Sequence, residues 1–254
     1  MLRRLLARIN GLDTPPPWSL VAALGSGVVS FAAVVIGTFI ALALLDNTQY
    51  TALAAWTIAA MVTILFVLIR FNKPEERAAL RFGGSAESGL PVQEIFLMLL
   101  IGVGLSVTLD VVSGRVTNLF LPEPELMSLY TDVTLYQQPI NILSWIFAFV
   151  FMVVLQPIAE ELVFRGLMLP SLRNAIGAWP GYIVSAILYA IFHMLAFPPS
   201  ISDFNGLWYS QIVPFIAGMI FGAVRLYTGS TRAAILAHVG FGLFAVIKVL
   251  TLVG

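Results

Sequence analysis

Cysteine is absent from this chain of 254 residues, and histidine occurs only as His193 and His238. The first absence excludes disulfides, thiolate metal sites and a cysteine nucleophile. The second confines any imidazole chemistry to those two side chains. Charge is also scarce: 13 Lys and Arg balance 13 Asp and Glu, 10% of the chain, where soluble domains carry roughly 25%. A net charge of zero offers no basic surface for nucleic acid. What fills the chain instead is apolar, with 59% hydrophobic residues and a mean hydropathy of +0.96. A soluble fold of this length cannot bury so much apolar surface, whereas a polytopic membrane protein leaves it against lipid.

The N-terminus, MLRRLLARINGLDTPPPWSL, has a basic part followed by prolines rather than by a short apolar core and a small-residue cleavage site. It is not a signal peptide of the usual form. It reads as a cytoplasmic lead-in, lying at the surface. No internal repeat or low-complexity segment stands out.

Apolar runs of about 20 residues mark spanning helices. Seven are expected, near 20–45, 52–70, 94–112, from 140 through the Glu160 region, 180–197, 209–227 and 233–252. They are continuous and lack the alternation of barrel strands, so the fold class is an all-α polytopic transmembrane bundle. The connection 113–139 is long enough to hold an interfacial or re-entrant piece, which would make an eighth membrane element. Basic residues favour one side. Arg3, Arg4 and Arg8, then Arg70, Lys73, Arg77 and Arg81, then Arg173, then Arg232 fall in alternate loops, and the opposite loops hold only Arg115. The positive-inside rule therefore places the N-terminus in the cytoplasm. Three parts follow: a lead-in (1–19), N-terminal membrane helices with the long connection (20–139), and a core that carries the chemistry (140–254).

Ionisable groups inside a bilayer are costly and usually face the interior of the bundle. Those that stand out on the expected spans are Asp110, Glu160, Glu161, Arg165, His193 and His238. Adjacent helix positions point about 100° apart, so Glu160 and Glu161 cannot share a target. Glu161 and Arg165 are four apart and pair on one face. Glu160 has only Gln156 at helical spacing, and points toward another helix. These charges can simply mark the cytoplasmic end of the fourth span. Against that, apolar residues continue to Arg173, so Glu160 lies 13 residues deeper, on the order of 20 Å at helical rise. His193 lies at a similar depth on the next span. Each histidine alone reads most simply as a hydrogen-bonded interior residue. Together with Glu160 they form a set able to hold zinc with an open water position, or to activate water directly while one histidine serves an oxyanion.

The motifs EELVFR (Glu160–Arg165), YAIFH (Tyr189–His193) and HVGFG (His238–Gly242), in that order and each on an expected span, resemble the CAAX protease and bacteriocin-processing family of intramembrane endopeptidases. That family's patterns are EExxxR, FxxxH and HxxxN, so Tyr189 stands in place of Phe and Gly242 in place of Asn. The resemblance covers about 140–252. It implies that Glu160 and His193 activate water, with Glu161 and Arg165 beside them, and that His238 steadies the oxyanion. It implies a membrane protein or peptide substrate, prenylated in the eukaryotic members; the length and plain loops suggest a bacterial chain in the cytoplasmic membrane, for which an unlipidated peptide is the expected substrate. The family has been described both as zinc-dependent and as metal-independent, so zinc on Glu160, His193 and His238 stays open. Two other functions fit the same residues: a proton- or ion-coupled transporter, and a silent scaffold or immunity protein, for which Gly242 argues.

Overall fold

The computed structural model describes residues 2–45, 51–81, 91–120, 142–196 and 204–253. Helix α1 (Leu2–Asn10) precedes α2 (Leu20–Leu45), α3 (Thr51–Arg70), a short α4 (Pro74–Ala79) and α5 (Val92–Phe120). The fourth span is α6 (Trp145–Ile176), followed by α7 (Ala178–Ala196), α8 (Trp208–Thr228) and α9 (Thr231–Val253). Seven of these helices are long and apolar enough to cross a membrane, and no strand occurs among the described residues. The protein is an integral, multi-pass membrane protein with an all-α fold. Large apolar side chains such as Val21, Phe39, Ile69, Phe96 and Leu100 are exposed on the outside of the bundle, where lipid replaces water as solvent. Helix α5 runs eight residues past the expected end of the third span, to Phe120. The piece expected between 121 and 139 lies outside the described residues.

The helices are held by close backbone approach as well as by buried apolar clusters. A Cβ added at Gly102 would overlap the Ala237 carbonyl, and one at Gly240 would overlap Leu99. These two glycines set α5 and α9 against each other. Asp110 on α5 pairs with Lys248 on α9 at 2.5 Å. This answers one intramembrane charge with a partner that periodicity had not singled out.

The basic loops meet at one end of the bundle. Arg81 lies 3.6 Å from Asp13, and Thr231 donates to the Leu80 carbonyl at 2.6 Å. Helix α1 does not lie loosely at the surface: Ile9 and Trp18 are buried, and Trp18 donates to Ser171 at 2.9 Å. The buried Arg173 guanidinium donates to the carbonyls of Ile9 (3.0 Å), Ala178 (3.0 Å), Arg8 (3.2 Å) and Gly11. A charge expected as a loop marker is thus the clamp that holds the N-terminal helix.

Hydrogen bonds from a charged donor contribute roughly 1.5–3 kcal/mol each. Arg173→Gln removes most of this clamp. It is expected to lower stability by about 2–4 kcal/mol and to open the segment 1–19 to protease cleavage in detergent, read by the rate of N-terminal trimming.

Candidate active site

Helix α6 is not a uniform α-helix. Its backbone widens into π turns at Val150–Leu155 and Leu162–Met168, on either side of the α-helical turn Gln156–Glu161. Such turns frequently sit at functional sites. Pro157 supplies part of the cause. The Gln156 N–H bonds back to the Phe151 carbonyl; in that register the next donor falls on residue 157, and proline has none. The Met152 carbonyl therefore receives no helix donor in that register, and it faces Gly242 of α9. A Cβ at Gly242 would overlap that oxygen.

Glu160, one turn after Gln156, is 7% exposed. Its Oε1 accepts from the Gln156 amide at 2.9 Å, and its Oε2 accepts from the Tyr189 hydroxyl at 2.7 Å. His193 Nε2 faces Oε2 at 3.6 Å. The His193 Nδ1–H donates to the Tyr189 carbonyl at 3.0 Å, so in the neutral ring Nε2 is the acceptor nitrogen. Two acceptors 3.6 Å apart are well placed to share a donor such as water.

Glu161 points the other way, as helical geometry requires. Its Oε1 accepts from Arg165 at 3.1 Å and from His238 Nδ1–H at 3.0 Å, while its buried Oε2 has no hydrogen-bond partner. Arg165 also donates to the Gly218 carbonyl at 3.1 Å and lies 4.2 Å from the centre of the Tyr189 ring. His238 stacks on Phe221 with centroids 4.7 Å apart. Both partners of the Glu161–Arg165 pair are almost completely enclosed, at 0% and 2% side-chain exposure.

The fold thus brings together Glu160, Glu161 and Arg165 of α6, Tyr189 and His193 of α7, and His238 of α9. Gly242 is near them in sequence but serves contact with Met152. Sequence reasoning paired Glu161 with Arg165 and set Glu160 apart, and the structure places them so. It did not anticipate that His238 joins Glu161 rather than Glu160, nor that the Tyr189 hydroxyl binds Glu160. The spacing of Gln156 to Glu160 was the one available signal for the amide contact. Among the described residues, no three His, Cys, Asp or Glu side chains are grouped to hold a metal ion. Glu160 is turned to Tyr189 and Gln156, and His238 to Glu161, so Glu160, His193 and His238 do not form such a group as arranged.

All of these residues fall within one stretch. Residues 142–244 match the family described as type II CAAX prenyl endopeptidase Rce1-like. Over this stretch the chain is similar to that family, in line with the resemblance carried by its three motifs. The Rce1-like match begins just before α6 and ends within α9, so it contains every side chain of the site and excludes α1–α5. No curated protein and no solved structure matches the chain significantly.

Two outcomes follow from this packing. Arg165→Met leaves the Glu161 carboxylate enclosed without its cation, and loss of one partner of a buried pair costs roughly 3–5 kcal/mol; thermal unfolding in detergent is expected to show a loss of that order. Gly242→Asn does not add a useful donor, because its Cβ overlaps the Met152 carbonyl. It is expected to destabilise by about 1–3 kcal/mol and to gain no activity, checked by unfolding and proteolysis measured side by side.

Proposed function

We propose that the protein is an intramembrane endopeptidase that hydrolyses a peptide bond of a membrane protein or membrane-borne peptide, with water activated by Glu160 and His193. The observation that carries this reading is the pair of acceptors, Glu160 Oε2 and His193 Nε2, facing each other at 3.6 Å inside an Rce1-like segment. A water donating to both presents its oxygen to a carbonyl carbon. Glu160 takes one proton as the oxygen–carbon bond forms. The same proton passes to the leaving nitrogen as the carbon–nitrogen bond breaks, and the hydroxyl stays on the new carboxyl group. His238, held by Glu161 through Nδ1 at 3.0 Å, turns its other ring nitrogen to the oxyanion and stabilises it when that nitrogen carries a proton. Arg165 neutralises the second carboxylate, so that the charge of Glu160 is the one left for chemistry.

The wide apolar exterior favours a substrate that arrives through the bilayer. Prenylated peptides are the substrate class that the family description suggests, and the bacterial cytoplasmic membrane is the location proposed for a chain of this plan. No metal is required by this scheme.

The test is cleavage of a library of membrane-inserted peptides, including farnesylated ones, in proteoliposomes. Glu160→Ala is expected to lower kcat by about 10²–10⁴-fold while a zinc chelator leaves the wild type unaffected. Equal cleavage by wild type and Glu160→Ala would falsify the protease reading; loss of cleavage on chelation would restore a metal to the scheme. Tyr189→Phe, which removes one charged hydrogen bond worth roughly 1.5–3 kcal/mol, is expected to slow the same reaction by about 10–100-fold.

A further inference from the structure

We propose that Gln156 is a further catalytic residue, whose side-chain amide donates to the scissile carbonyl oxygen as it becomes an oxyanion; this rests on the proteolytic reading of the site. A partly open apolar cavity lies between α2, α3, α6 and α7, and Glu160 forms part of its lining. Trp56, Phe151, Phe164 and Phe192 make most of the wall apolar. Neither His193, Tyr189 nor His238 lines it, but Gln156 does. A carbonyl delivered through this cavity to water at Glu160 therefore passes the amide.

The lining also holds the Thr63 hydroxyl and the Trp56 indole, and among these donors Gln156 is hydrogen-bonded to Glu160. Ser30, also in the lining, has its hydroxyl hydrogen directed to the Ser26 carbonyl at 2.8 Å. The hydroxyl hydrogen of Tyr189 is directed to Glu160. Glu160 itself, as the base, accepts. An amide nitrogen carries two hydrogens, and Gln156 uses one on Glu160 Oε1 at 2.9 Å. The other remains for the occupant of the cavity. Oxyanion donors must stand about 3 Å from the oxygen, and the attacked carbon stands about 3 Å from the activated water. An amide in contact with the base at 2.9 Å is within reach of an oxygen placed at that distance. A neutral donor is also suited to this place, since it stabilises developing negative charge without neutralising Glu160. Gly242, closed against Met152, leaves α9 without a side-chain donor at that position.

The experiment compares a farnesylated, fluorescence-quenched CAAX peptide with the same peptide carrying a thioamide at the scissile bond, in proteoliposomes of wild type and Gln156→Met. Sulfur is the poorer acceptor, so a donor that touches this atom discriminates between the two. Gln156→Met is expected to lower kcat for the normal peptide by about 100-fold with little change in KM, and to shrink the preference for oxygen over sulfur by about tenfold or more. Because the preference is a ratio within one preparation, an unfolded fraction cancels. An unchanged ratio despite lower kcat would mean that Gln156 only holds Glu160, and overturns the proposal while leaving the protease intact. Full activity of Gln156→Met overturns it as well. A wild type that leaves the normal peptide uncut overturns the proteolytic reading, and this inference with it.

Discussion

The Glu161–Arg165 pair is the constraint on which the rest of the site depends. Two adjacent carboxylates in the middle of a membrane helix would repel each other and resist removal from water. Arg165 resolves this for one of them by a direct contact at 3.1 Å, and Glu161 in turn holds His238. The guanidinium also binds the Gly218 carbonyl and lies over the Tyr189 ring. One cation thereby ties α6 to α7 and α8, and through Glu161 to α9. With that charge answered, Glu160 is free to carry a different role.

Glu160 is held differently. It has no cation of its own type beside it; its contacts are a phenol, an amide and an imidazole. The phenol and the amide, both neutral donors, orient the carboxylate without removing its capacity to accept a proton. The two glutamates are identical in type and adjacent in sequence. Their division into a structural anion and a candidate base follows from the angle between successive helix positions and from which helix each one meets.

The backbone of α6 contributes as much as its charges. Pro157 and the π turns on either side of Gln156–Glu161 present that turn as a distinct unit. The same irregularity turns the Met152 carbonyl toward α9, where only glycine fits. A glycine where the family pattern has asparagine looked like a lost donor. In the fold it is a packing position, and the polar contacts to Glu160 come from α6 and α7 instead.

The sequence by itself determined the all-α membrane fold, because long apolar runs have no other stable arrangement in lipid. It also determined the pairing of Glu161 with Arg165 and the separate direction of Glu160, since both depend only on spacing within one helix. Spacing could not say which glutamate each histidine meets, because that depends on the rotation and depth at which α7 and α9 pack against α6. Those are set by contacts between residues far apart in the chain, such as Gly240 against Leu99 and Gly242 against Met152. Nor could it show that the Tyr189 hydroxyl reaches Glu160, that Arg173 clamps α1, or that Asp110 finds Lys248. Each needs two helices to be side by side, and only tertiary structure decided which helices those are.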